Sequence, residues 1–573
     1  MFSRAAASPV LSFADMTPAD RRQAWIFFAI AFAVLAAGFG LRDPWPADEP
    51  RFVLVAKQMV ESGDFLFPHR GSELYPDKPP LYFWILSAAY GIVGSWRWSF
   101  LLPSLLAGLG TLACTYDLGR RLWTPRAGLW ASVAVLATFQ FVYQAKRAQI
   151  DPMLVFFTTV ALYGICRHLL LGPAWRWFWA GCFAAGLGVV SKGVGFLPLL
   201  ALLPFALMAR WRWQGLADLG TGNGWRWSGA APAFLAAIAL WLGPVLAVGL
   251  TSGNPEHEAY LQNILFKQTA GRYVDPWHHV EPVWYFLQVV ALYWLPFSLA
   301  LPWLVKPWIQ AWRERDARVW LPLAWALLVL AFFSASAGKR DMYILPALPA
   351  LALAAAPFLD AISLRIGFRR AVLAFVLVFC AVLLVAGTMA LVGEPGFERK
   401  LVAERGLGPE GRWLWAMLAG VGAAGLLAAM AWRLAGALKA CGLMFALLWL
   451  GYGWVVHPVF DRENSARGLM EDARALAGDD VTIGLVDWKE QNLLQAVGPV
   501  VEFGFRQPPA RQLDAAIAWE RAAPARRRLF VQRSEALDCL LLEPGPDAVR
   551  VGTANRREWW LVTAAAARNC RID

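Results

Sequence analysis

At 573 residues, 58% hydrophobic and only 16% charged, the chain is too apolar for an ordinary soluble multidomain protein. Its formal charge of +12 is spread as short basic clusters between apolar runs, the pattern of loops held on one membrane face, which leaves nucleic acid binding little weight. The 32 tryptophans fit membrane–water interfaces, where indole rings are favoured.

The first apolar run, 24–41, follows a polar leader without a clear small-residue cleavage site and reads as an uncleaved signal anchor. Further crossings are predicted at 98–116, 127–145, 152–170, 177–191, 193–209, 229–250, 283–305, 319–337, 342–360, 371–392, 413–432 and 440–456. The longer of these approach the ~20 residues that span a hydrocarbon core of about 30 Å. Stretch 79–94 is short, and orientation decides its place. If it does not cross, one side holds Arg21 and Arg22; Arg120, Arg121 and Arg126; Arg167 and Arg176; Arg210, Arg212 and Arg226; Lys306, Arg313, Arg315 and Arg318; Arg365, Arg369 and Arg370; and Arg433 and Lys439. Every segment there is basic, as cytoplasmic loops are. Stretch 79–94 is therefore expected as an interfacial or re-entrant helix at the outer surface. The expected fold is a polytopic α-helical membrane domain over 1–456 with about thirteen crossings, N-terminus cytoplasmic and C-terminus outside, and a first outer loop at 42–97.

The tail, 457–573, changes composition to frequent charges. Strand-like runs at 481–486, 528–531 and 559–562, with helical patterns at 462–477 and 511–521, predict a small α/β domain outside the membrane. Seven cysteines show no metal-type spacing; Cys539 and Cys570 lie in this tail and would pair if it faces an oxidising compartment.

The informative groups are ionisable residues on the outer side, where charge placement does not call for them. The first loop carries Asp48-Glu49-Pro50-Arg51, and Lys146, Arg147 and Asp151 mark the next outer turn. Lys192 and the run Lys339-Arg340-Asp341, just before Tyr343, occupy two more. Such short turns sit at the mouth of a helix bundle, so their charges can converge on one outward-facing cavity. Two acids among several cations suit a phosphate-bearing substrate, because Lys and Arg neutralise phosphate oxygens.

After Asp48, residues Phe52, Val55, Ala56, Met59 and Val60 recur at helical spacing while Arg51, Lys57, Gln58 and Glu61 take the other face, predicting an amphipathic helix in the outer interface. Asp48 could equally be no more than its N-cap, with Pro50 tolerated in the first turn. Tyr75-Pro76-Asp77-Lys78-Pro79-Pro80 holds an extended backbone that would present Lys78 rigidly ahead of Leu81, Tyr82 and Phe83. A lone lysine there would simply snorkel. The loop 251–282 contains His257-Glu258, but Leu261 stands where a zinc-protease helix needs its second histidine. His278 or His279 with a carboxylate could bind a divalent metal, although solvated loop histidines are the commoner case.

The segment DEPRFVLVAKQMVESGDFLFPHRGSELYPDKPPLYFW resembles the first outer loop of the GT-C glycosyltransferase superfamily that contains protein O-mannosyltransferases and bacterial aminoarabinose (4-amino-4-deoxy-L-arabinose) lipid A transferases. AKRAQIDPMLVFF, SKGVGFLPLL and KRDMYILPALPAL are similar to further outer elements in the same order. The resemblance implies a GT-C fold, a polyprenyl-phosphate-linked sugar donor such as an undecaprenyl phosphate sugar, and an inverting reaction in the bacterial inner membrane with lipid A or another envelope acceptor. It places Asp48 as principal catalytic carboxylate and Asp151 as second acidic site. Lys78, Arg147, Lys192 and Arg340 become phosphate contacts, and Glu49, Arg51, Tyr75, Tyr82 and Tyr343 line the substrate. Aminoarabinose transferases usually carry Glu before the Lys-Pro pair where this chain has Pro76-Asp77, so aminoarabinose transfer to lipid A is the leading candidate within the superfamily rather than its only reading. The rival of another class, a lipid or small-molecule transporter, would place ionisable groups near the bilayer midplane in two related halves, which the apolar runs do not show.

Overall fold

The structure, a computed structural model, describes residues 13, 15–220, 222–264, 280–393, 395–405, 409–567 and 570. Most are helical, in a polytopic bundle. Among the described residues, seven helices are long and apolar enough to cross a membrane, or nine if each of two bent pairs is one span. That is fewer than the expected thirteen, for a reason of length and charge. Val194–Arg210 and Ala347–Ser363 are shorter apolar helices, and Pro18–Ala36 begins with Asp20, Arg21 and Arg22. Leu81–Val93 is likewise a short apolar helix, in the stretch expected as re-entrant.

Two features of the bundle deliver charged turns to one end. Helices Ile150–Leu171 and Trp175–Lys192 form an antiparallel hairpin, so the start of the first lies beside the end of the second. They approach closely because Gly164 and Gly181 face each other; a Cβ on Gly164 would stand 2.2 Å from the Trp177 carbonyl oxygen. The second feature is a pair of broken helices. Pro125–Leu136 turns by 73° into Phe139–Ala145, and Tyr285–Tyr293 turns by 101° into Phe297–Arg313. Each break frees backbone groups that hydrocarbon cannot solvate, and the two breaks satisfy each other. The Phe139 amide donates to the Leu295 carbonyl at 3.0 Å, and the Trp294 indole donates to Gln140 at 2.8 Å. Gln140 in turn donates to Asp341 at 3.0 Å, anchoring the turn that carries Arg340.

The tail forms a five-stranded sheet of β3 (Thr482–Val486), β4 (Val500–Glu502), β5 (Arg527–Gln532), β6 (Ala548–Ala554) and β7 (Arg557–Val562), ordered β4-β3-β5-β7-β6; a ribbon of β1 (His69–Arg70) and β2 (Glu73–Leu74) lies in segment 42–97. Strands β4, β3 and β5 are parallel, and β7 and β6 close the sheet antiparallel. Alternation along the strands gives two apolar faces. Leu529, Val531, Trp560 and Val562 pack on helix Pro509–Arg521, next to the disulfide between Cys539 and Cys570. Ile483, Leu485, Phe530, Trp559 and Leu561 face the other way, into a core shared with Phe52, Val55, Tyr82 and Phe83 of segment 42–97.

That shared core changes the picture of the loop helix. It runs Glu49–Ser62 and buries Phe52, Val55, Ala56 and Met59, but it also buries Val53 and Leu54, while Val60 is 36% exposed. It is therefore not an interfacial helix with one wet face. It lies between helix Leu81–Val93 and the tail, and each side supplies apolar contact.

Candidate active site

Asp48 occupies the N-cap position of the loop helix, yet its side chain makes no capping hydrogen bond. It faces three partners instead: Gln149 donates to it at 3.2 Å, Arg51 lies 3.6 Å away, and Arg340 lies 3.8 Å away. The Asp48 side chain is 18% exposed, so it keeps access to solvent. Gln149 immediately precedes helix Ile150–Leu171, in whose first turn Asp151 stands. Because of the helix hairpin, Lys192 meets Asp151 in an ion pair of 2.5 Å. The Lys192 ammonium also lies 4.8 Å from the centre of the Tyr343 ring, a cation–π contact. Tyr343 belongs to the turn Asp341–Ile344, whose preceding residue is Arg340. Asp48, Arg51, Gln149, Asp151, Lys192, Arg340 and Tyr343 are thus linked into one partly open cluster at a single end of the bundle.

Arg147 stands beside this cluster. Its guanidinium donates to the Tyr143 hydroxyl at 3.1 Å and lies 3.9 Å from Glu49. Burial works against its charge, but Glu49, then Tyr143, Tyr452 and Asp48, more than compensate and hold it protonated above its ordinary range. Lys78 lies half-buried in the turn ahead of helix Leu81–Val93, and the neighbouring Asp77 pairs with Arg506 of the tail at 3.4 Å.

Three expected substrate contacts are corrected. Glu49 is fully buried and saturated: Arg42 donates to both of its oxygens, and the amides of Trp45 and Ala148 donate at 2.8 and 2.9 Å. Burial pushes its carboxyl up, but the Arg42 charge and hydrogen bond, with Arg147 and the Trp45 amide, outweigh that and hold it below the ordinary carboxylate value. Tyr75 and Tyr82 are also fully buried, edge-on to Phe83 and Phe52 respectively. All three present no surface to a ligand: Arg42 and the two amides enclose Glu49, and the apolar core shared with the tail encloses Tyr75 and Tyr82.

Among the described residues no group of three His, Cys, Asp or Glu side chains converges to hold a metal ion. His278 and His279 lie outside the described residues. His257 stacks on Phe67 at 3.8 Å between ring centres and contacts the Ser252 hydroxyl at 3.0 Å, a packing role. Gln149 and Arg42 were not singled out from sequence. Gln149 stands two residues before Asp151 in a polar turn, which is the one local signal that could have drawn attention to it.

A family model described as dolichyl-phosphate-mannose-protein mannosyltransferase matches residues 77–220. An undecaprenyl phosphate-alpha-4-amino-4-deoxy-L-arabinose arabinosyl transferase of Pseudomonas aeruginosa strain UCBPP-PA14 is 32% identical over 352 residues, 58% of this chain and 59% of that protein. The match therefore spans about three fifths of that relative's length. The protein of the same description from Edwardsiella ictaluri strain 93-146 is 27% identical over 409 residues, 68% of this chain and 70% of its own length. In three dimensions the chain superposes on ArnT from Cupriavidus metallidurans bound to undecaprenyl phosphate with a TM-score of 0.71 at 20% identity, covering 95% of this chain and 99% of that one. The apo state of the same protein gives 0.70.

Proposed function

We propose, for a chain that belongs to the GT-C glycosyltransferase superfamily, that it moves a sugar from undecaprenyl phosphate to an acceptor outside the cytoplasm by inverting displacement. The observation that carries this is the linked cluster around Asp48, where a partly open carboxylate stands among cations able to grip a phosphate. The acceptor oxygen attacks the anomeric carbon, the bond from that carbon to the phosphate oxygen breaks, and polyprenyl phosphate leaves with the electron pair. Its leaving group is already good, so the protein mainly positions the reactants and stabilises charge. Arg340 and Lys192, with Arg147 and Lys78 flanking, would take the phosphate oxygens as negative charge builds on them. Lys192 is held meanwhile by Asp151, so donor binding exchanges one anionic partner for another. With a hydroxyl acceptor Asp48 is the general base. With a lipid A phosphate, already anionic, Asp48 orients the acceptor and its cations instead.

The sugar favoured is 4-amino-4-deoxy-L-arabinose and the acceptor lipid A, on the strength of the relatives' descriptions. On this reading the enzyme sits in a bacterial inner membrane with the N-terminus cytoplasmic and the tail periplasmic; the basic segments named above and the disulfide between Cys539 and Cys570 support that orientation. Mass spectrometry of envelope lipids with and without the gene tests the assignment. Loss of aminoarabinose from lipid A is the expected result. Unchanged lipid A alongside a lost modification elsewhere would point to another sugar or another envelope acceptor.

A further inference from the structure

In an open α/β sheet the chain winds outward in two directions from one strand, and the crevice at that strand's carboxyl end is the usual ligand site. Here the strand is β3, with parallel β4 on one side and parallel β5 on the other. What fills its carboxyl end is the first outer loop. Arg70 lies over the Phe505 ring at 3.7 Å, and Gly71 comes so close that a Cβ would stand 3.0 Å from both Trp488 and Glu502. Glu490, four residues beyond β3 and 7% exposed, receives Arg51 at 2.8 Å and Arg70 at 3.2 Å.

Arg51 is therefore shared between two carboxylates. Its Nε donates to Glu490, while a terminal nitrogen stays 3.6 Å from Asp48, beyond hydrogen-bond length. A guanidinium left to itself would close on Asp48 in the two-pronged arrangement that Arg and carboxylate prefer. Such a closed pair would occupy both oxygens, leaving none to take a proton from a hydroxyl acceptor or to order the cations around a phosphate one. We propose that Glu490 is a positioning residue for the transfer reaction: by holding Arg51 at the tail domain, it keeps Asp48 loosely paired and available. The tail domain then serves the active site directly, through one ion pair spanning 439 residues of sequence. This inference rests on the assignment of Asp48 as the reacting carboxylate.

The test uses purified full-length protein in detergent and an undecaprenyl-phosphate-linked sugar. Transfer is measured across pH for the wild type, Glu490→Gln, Arg51→Gln and the double variant. Glu490→Gln should lower kcat by about tenfold to a hundredfold and leave the donor KM within about twofold. It should also move the acid limb of kcat to lower pH, because a negative charge near Asp48 is gone and Arg51 can close on it. The double variant should be no worse than Arg51→Gln, since Glu490 acts through Arg51. A Glu490→Gln enzyme with wild-type kcat and an unmoved acid limb overturns the proposal, as do fully additive losses. If Glu490→Gln does not fold, Glu490→Asp decides: the charge stays but the reach shortens and Arg51 is released, so kcat should fall severalfold and the acid limb should move to lower pH by less than in Glu490→Gln, and a wild-type kcat overturns the idea. Full transfer by Asp48→Asn would instead overturn the catalytic assignment itself, and this proposal with it.

Discussion

Asp48 and Glu49 are adjacent acids with opposite fates. Glu49 is sealed in a knot with Arg42 and two amides, while Asp48 faces outward with three partners at longer range. Successive helical residues point about 100° apart, so two neighbouring side chains at a helix start cannot share one environment. The sealed acid fixes geometry: it ties the loop to Ala148, one residue before Gln149, and so sets where Gln149 meets Asp48. The open acid keeps free lone pairs. The pair teaches that the rigidity a site requires and the reactivity it offers can be assigned to neighbouring residues of one type.

Breaking the sealed side should have the largest effect. Glu49→Ala strands Arg42, which is 1% exposed, and removing one partner of a buried pair costs about 3–5 kcal/mol. The melting temperature of the purified protein should drop sharply, and transfer should vanish with it. The open side should behave in the reverse manner. Asp48→Asn should lose about a hundredfold or more in transfer to a hydroxyl acceptor while the melting temperature stays near that of the wild type. A large fall in melting temperature would show that Asp48 is structural after all. Lys192→Ala comes next: losing a charge-assisted contact worth about 1.5–3 kcal/mol should weaken transfer by roughly tenfold or more, visible in kcat and donor KM together.

Acid sharpens the contrast further. The folded-state value of Glu49 lies below its ordinary 4.5, so the stability it supplies is complete above about that pH and drains away as pH falls through the depressed value. Melting scans from pH 6 down to about pH 3 should show this loss, and Glu49→Gln should flatten it. The smallest effect belongs to Arg462→Ala. That residue pairs with Glu471 and Asp472 on the surface at 55% exposure, and its removal should change stability by less than about 0.5 kcal/mol.

The parts of this arrangement that sequence reveals are those set by short-range pattern. The existence of the loop helix, the short apolar helix Leu81–Val93 and the turns carrying Arg147, Lys192 and Arg340 all follow from apolar period and charge placement. Strands β3, β5 and β7 could be read from their β-branched and aromatic runs, whereas β4, at three residues, and β6, with an exposed and charged centre, carry too weak a pattern. The burial of Val53 and Leu54 was hidden because the core that encloses them is assembled from distant segments, the tail among them. Glu490, Glu502 and Arg506 were hidden for the same reason: each meets a loop partner that no local window contains. Glu49 could not be told from Asp48 by residue type, since only the third dimension shows that Arg42 reaches one and not the other.

The core that joins Phe52 and Tyr82 to Phe530 and Trp559 also sets a schedule for biogenesis. A ribosome emits the loop long before the last strand, and at about 5–20 residues per second the wait is on the order of a minute. During that interval the loop helix has only the segments already made to lean on, among them helix Leu81–Val93 and the stretch around Ala148. Pulse-labelled chains should therefore become fully protease-resistant around Glu49–Ser62 only once the final strands have been made and folded, so that the beginning of the polypeptide is finished by its end.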